Sequence, residues 1–285
     1  MTPRPKQPVM AIDPVVTASE TSLPFRSMRP WPRRRSGDKD VATEGASRHP
    51  GGADTSTAPD YLALGVGDEW VQDVVDAVRP FTMTSAERIY GLCLAVQYVC
   101  RQDIPGALVE CGVWRGGSAM AMALTLDRMG ARDRDLVLFD TFSGMTPPEA
   151  IDRDVADRPA AQLLASENRM TSSVWAYATL DDVTSNLATT GYGNVSYVVG
   201  DVEQTIPGQA PERVALLRLD TDWYRSTLHE LLHLVPRVSP RGVLIVDDYG
   251  HWSGAHQAVD QYFEGQATQP FLCPLDYTGR LAILP

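Results

Sequence analysis

The chain has 285 residues, a formal net charge of −11 and 44% hydrophobic residues, enough apolar material for a substantial core. Residues 1–50 hold nine Lys/Arg against five Asp/Glu, so the acidic excess lies entirely in the remainder, which disfavours binding to nucleic acid phosphates and favours small-molecule partners. The sequence has no apolar run long enough to span a bilayer and no leader in which an apolar stretch follows basic residues; neither membrane association nor secretion is expected, and the chain reads as cytoplasmic.

In chain order, residues 1–58 are rich in Pro, Arg, Ser, Gly and Thr without a sustained period, which predicts a disordered tail ahead of a folded domain over 59–285. Apolar positions at helical spacing run from Tyr61 to Val78. A second helix is expected over Ala86–Cys100, with Ser85 as its N-cap. Beyond Pro105-Gly106 the text alternates between short β-rich runs and amphipathic stretches. Strands are expected at Ala107–Val113, Leu136–Phe142, Val195–Val202, Val214–Asp220 and Gly242–Asp247, and a closing hairpin at Phe271–Tyr277 and Arg280–Leu284. This pattern predicts an α/β, doubly wound, mostly parallel sheet with a C-terminal antiparallel hairpin. Cys93, Cys100, Cys111 and Cys273 show no metal-ligand spacing and read as reduced thiols.

The first strand ends in Glu110-Cys111-Gly112-Val113-Trp114-Arg115-Gly116-Gly117-Ser118 and feeds a helix running to about Met129. Such a glycine-rich turn lets a ligand approach the backbone at the carboxyl edge of the sheet. Its spacing differs from G-x-G-x-x-G, and Glu110 would repel a pyrophosphate. A carboxylate there suits the sulfonium and ammonium of S-adenosylmethionine. Asp140, ending the second strand, is placed to accept ribose hydroxyls, and Asp201, after the third, to meet the adenine. Each acid has a bland alternative as an ordinary strand-end or capping residue.

The fourth strand delivers Asp220-Thr221-Asp222 and the fifth Asp247-Asp248. Residues two apart on a strand face one way, so four carboxylates are expected to converge between neighbouring strand ends. Arg218 and Arg225 could offset their repulsion, but a hard divalent cation, Mg²⁺ first, is the simpler solution. Turn and cap aspartates facing water are the alternative. A cation of this kind suits methyl transfer to a hydroxyl, where an oxygen must be held in line and lose its proton.

These blocks, with Leu138-Phe139-Asp140-Thr141-Phe142-Ser143-Gly144-Met145 and Leu217-Arg218-Leu219-Asp220-Thr221-Asp222, resemble the macrocin and mycinamicin type of sugar O-methyltransferase across residues 80–265. The resemblance implies a class I methyltransferase fold and Mg²⁺ held by Asp220, Asp247 and Asp248, with Asp222 as general base. It implies cofactor contacts from Glu110, Gly112, Ser118, Asp140 and Asp201, with Thr82, Met83 and Thr84 along the methionine end. It implies glycoside substrates and a homo-oligomer. The wider fold is similar to catechol O-methyltransferase, where a lysine is the base; here no lysine follows Lys39, which leaves Asp222, with His251 as a substitute. The segments 147–172 and 252–263 are expected to act as lids. The competing readings are a nucleotide-sugar glycosyltransferase using Asp220-x-Asp222 and an inactive cofactor-binding homologue.

Overall fold

The computed structural model describes residue 65 and residues 67–285. The expected tail, and residues 61–64 and 66 of the helix expected from Tyr61, lie outside the described residues; residues 65 and 67–69 are not helical, and the helix begins at Trp70. No helix among them is long and apolar enough to cross a membrane.

Helices α1 (Trp70–Val78) and α2 (Ala86–Arg101) precede the sheet, and Ser85 caps α2 by accepting a hydrogen bond from the Arg88 amide at 3.2 Å. There follow β1 (Ala107–Cys111), α3 (Gly117–Arg128), β2 (Leu136–Asp140), α4 (Ala160–Ser166), α5 (Leu180–Ala188), β3 (Val195–Val199) and α6 (Val202–Thr205). The chain ends with β4 (Val214–Leu219), α7 (Tyr224–Leu234), β5 (Val238–Val246), α8 (Ser253–Glu264), β6 (Cys273–Pro274) and β7 (Arg280–Ile283).

The seven strands are ordered β3-β2-β1-β4-β5-β7-β6. The first five are parallel; β7 runs antiparallel to both β5 and β6. Strand order reverses between β1 and β4, so the loops leaving these two strands diverge and open a crevice at their carboxyl ends.

The strands are apolar because both faces are covered. Leu108, Leu136, Leu138 and Ile245 pack with α1, α2, α3 and α5, while Val109, Leu217, Leu219 and Val246 pack on the other face with α7 and α8. Observed strands stop one to three residues before several expected ends, because the last residues turn into the crevice loops. The segment 252–263 is the cap Trp252 and most of α8, whose Ala255, Ala258 and Val259 are buried and which packs along α7. It is a covering helix and not a lid; only its leading Trp252 reaches the cleft. All four cysteines are free.

Candidate active site

Strand alternation puts an unusual charge cluster under the crevice. Glu110 on β1 lies opposite Arg218 on β4, and Arg218 opposite Ile245 on β5. Stepping two residues further along each strand, Asp220 and Asp247 share that face. Arg218, 1% exposed, therefore reaches Glu110 Oε1 at 2.7 Å, Asp220 Oδ2 at 2.7 Å and Asp247 Oδ1 at 2.6 Å. Its remaining reach goes to Thr84 Oγ1 at 3.0 Å. Arg88 from α2 pairs with the other oxygen of Asp247 and, at 2.9 Å, with Asp276.

The expected convergence of four carboxylates is thus divided. Asp220, Asp222 and Asp248 bring one oxygen each within 4.8 Å of one another. Asp247 lies outside this trio, both its oxygens being paired with guanidinium groups. Of the two arginines proposed to offset these acids, Arg218 does so. Arg225 instead pairs with Glu203 and Glu149 at the surface.

Of the five carboxyl groups here, Glu110, Asp220 and Asp247 are paired with Arg218 or Arg88, and Asp222 and Asp248 with no basic group among the described residues. Burial, opposed by Arg218, pushes Glu110 up to about 8. Burial first, and then neighbouring carboxylates, push Asp222 up to about 7 and Asp248 well above the carboxylate range. Asp247 is raised by burial to about 6. Asp222 and Asp248 share a hydrogen bond, while Asp248 Oδ2 is buried without a partner.

These shifts have a consequence for stability. A carboxyl whose pKa is higher folded than unfolded keeps its proton in the native state, so stability falls as pH rises from about 4 to about 8. The metal-free protein is expected to melt several degrees lower at pH 8.5 than at pH 6, as read by calorimetry at constant ionic strength. An unchanged melting temperature would mean that these carboxyls titrate normally.

The cleft runs over this cluster in two joined parts, of about 720 and 960 Å³, which share Met83, Val113, Trp114, Ser173, Asp220 and Asp222. The first is lined by Gly112, Asp140, Asp201 and Thr221. Gly112 has φ 81°, and a Cβ there would lie 1.9 Å from the Asp220 carbonyl oxygen, so neither its conformation nor its space admits a side chain. Asp140 accepts from the amides of Val113 at 2.6 Å and Phe142 at 2.7 Å, which ties the glycine loop to the end of β2. Asp201 caps α6 through the Glu203 amide at 2.9 Å while lining the same space.

The second part is lined by Thr82, Met83, Thr84, Ser118, Asp248 and His251, among others. Glu110 lines neither part. It is fully buried and acts on the cleft only through Arg218, not as the direct contact to a cationic ligand expected from its position before Gly112. Sequence reasoning missed Arg88, Asp152 and Glu230. Asp152 accepts from the Tyr224 amide at 2.8 Å, fastening the segment after Pro147 to the start of α7.

Comparison with known proteins agrees with this architecture. Residues 66–281 match the family described as macrocin-O-methyltransferase (TylF). The chain is 34% identical over 203 residues to the 8-demethyl-8-(2,3-dimethoxy-alpha-L-rhamnosyl)-tetracenomycin-C 4'-O-methyltransferase of Streptomyces olivaceus, covering 70% of this chain and 73% of that protein. It is 31% identical over 212 residues to the mycinamicin III 3''-O-methyltransferase of Micromonospora griseorubida, covering 70% and 76%. The solved O-methyltransferase NovP superposes with a TM-score of 0.62 at 30% identity, covering 72% of this chain and 82% of NovP. The chain belongs to the TylF macrocin-O-methyltransferase family and is an S-adenosylmethionine-dependent O-methyltransferase.

Proposed function

We propose that the enzyme methylates a hydroxyl of a sugar on a glycosylated natural product, a macrolide or similar secondary metabolite, with a divalent cation, Mg²⁺ first. The observation that carries this reading is the trio Asp220, Asp222 and Asp248 at the junction of the two parts of the cleft. The relatives' names, which specify sugar positions on tetracenomycin and mycinamicin derivatives, support the substrate class.

The donor set fits a hard cation: all ligands are oxygen, one is an orphaned buried carboxylate oxygen, and the acids outnumber the arginines. Asp220 and Asp248 would hold it with Asp222 beside them, and Asp247 would join by turning from Arg88. When bound, the cation lowers the pKa of the acceptor hydroxyl and fixes its oxygen.

In this reading the chain's residues divide the remaining work. Asp140 and Asp201 bound the nucleoside space, and Thr82 to Thr84 with Ser118 bound the methionine end. Asp222 takes the acceptor proton, since burial has already brought its carboxyl to about 7, where a base is effective at neutral pH. Trp252 and His251 wall the acceptor side, and the Tyr277 hydroxyl, 3.0 Å from His251 Nδ1, holds the imidazole. Residues 59–285 are read as the methyltransferase domain; the cytoplasmic location rests on composition and the homo-oligomer on the resemblance.

Calorimetry tests the reading. S-adenosylhomocysteine is expected to bind and UDP-sugars not to, whereas the reverse would favour a glycosyltransferase. Labelled S-adenosylmethionine with candidate glycosides, read by mass spectrometry with and without EDTA, tests substrate and cation together. Turnover unaffected by EDTA would remove the cation from the reading.

A further inference from the structure

Asp222 sits at the apex of an unusual turn. Its φ is 65°, and the Trp223 amide donates back to the Thr221 carbonyl at 2.7 Å. This closes a three-residue γ-turn of the hand that side chains disfavour. Such a conformation persists only where its surroundings impose it.

The restraint comes from beneath. Glu230 on α7 is 0% exposed. Its Oε2 accepts from Thr221 Oγ1 at 3.1 Å, its Oε1 is buried without a hydrogen-bond partner, and the Cys111 thiol is its other polar neighbour. No ion pair offsets its burial among the described residues. A carboxyl there costs stability that an aliphatic side chain would not, given the apolar packing of Leu231 and Leu234 beside it. Ser226 Oγ lies 3.1 Å from the Trp223 carbonyl and 3.3 Å from the Thr221 carbonyl, either of which can accept its proton, and the Trp223 indole donates to the Thr146 carbonyl at 2.9 Å, so both flanks of the turn are also held.

We propose that Glu230 is a positioning residue. Through the Thr221 hydroxyl it holds the Thr221-Asp222-Trp223 turn in its left-handed form and keeps the Asp222 carboxyl beside Asp220 and Asp248. This deepens the cation-and-base reading of that trio and rests on it. Glu230 touches neither the cleft nor the trio, so its effect passes through one hydroxyl.

The experiment compares Thr221→Val, Glu230→Leu, their combination and Glu230→Gln in the full chain. Mn²⁺ affinity is read by electron paramagnetic resonance, exchange of the Trp223 amide by hydrogen–deuterium mass spectrometry, and S-adenosylhomocysteine affinity by calorimetry. Thr221→Val and Glu230→Leu are each expected to weaken Mn²⁺ about tenfold and to speed Trp223 exchange by a similar factor, the double variant being no worse than either. Glu230→Gln, whose amide oxygen still accepts from Thr221, is expected to restore both readouts, and S-adenosylhomocysteine affinity is expected to hold within about twofold in Glu230→Leu and Glu230→Gln, since Glu230 does not line the cleft. Unchanged Trp223 exchange in Thr221→Val, or additive losses in the double variant, would overturn the proposal. Should the unsubstituted protein bind no Mn²⁺, the cation reading fails, and Trp223 exchange alone decides whether Glu230 holds the turn.

Discussion

Asp222→Asn is expected to bind S-adenosylhomocysteine as the unsubstituted enzyme does and to lose methyl transfer by about 10³-fold, within the range for removal of a general base. The substitution preserves shape and the hydrogen bond to Asp248 while removing the proton acceptor. No lysine follows Lys39 to take over. The nearest alternative, His251, lies in the same part of the cleft but is lowered by burial below the ordinary imidazole value and turned toward Tyr277. The pH profile of kcat offers a second check. It should rise with an apparent pKa no higher than about 7, because a cation beside Asp222 can only lower the value set by burial. Turnover retained in Asp222→Asn would assign the proton to another group, His251 first.

Arg218→Met is expected to be the most damaging single change to the folded protein. The side chain is 1% exposed and holds three carboxylates within 2.7 Å. Methionine fills most of the space but leaves Glu110 and Asp247 facing one another without the intervening charge. Removing one partner from a buried ion pair costs about 3–5 kcal/mol, which lowers the melting temperature of a domain this size by roughly 10 °C. The sign of its pH dependence is diagnostic. The orphaned carboxyls take up protons as pH falls, so the deficit should be largest near pH 8 and shrink toward pH 5. A loss independent of pH would mean that packing, not charge, is what Arg218 supplies. Because the same guanidinium also reaches Thr84, cofactor affinity should fall in this variant, in contrast to Asp222→Asn.

Much of the site was legible before the structure because the chemistry is carried at strand ends. Gly112 is required by a turn whose Cβ would strike the Asp220 backbone, and the run Glu110 to Ser118 advertises that turn directly. Asp220, Asp222 and Asp248 follow from strand periodicity and the adjacency of β4 and β5. Strand periodicity by itself does not divide the acids between their partners. Glu110 and Asp247 are carboxylates near strand ends, as the others are. Asp220 shares their face and is also paired with Arg218, while Asp247 is held on both oxygens, by Arg88 and Arg218. Alternation was legible, but the register that sets Glu110 opposite Arg218 was not. Nor was Arg88, because no local pattern says where along the sheet edge a helix will lie.

The sequence by itself determined the order of the elements, the parallel sheet closed by a hairpin, the glycine loop and the aspartates that face the cleft. Each depends on spacing within a few residues, so local propensity and periodicity suffice. Only the tertiary structure decided which acids pair with Arg88 and Arg218 and which three, Asp220, Asp222 and Asp248, gather at the cleft. It also placed Asp222 at a left-handed turn braced from beneath by Glu230 and made the segment from Trp252 to Phe263 a packed helix. These depend on contacts between residues far apart in the chain, where the position of one guanidinium or one buried carboxyl is set by how whole helices pack against the sheet.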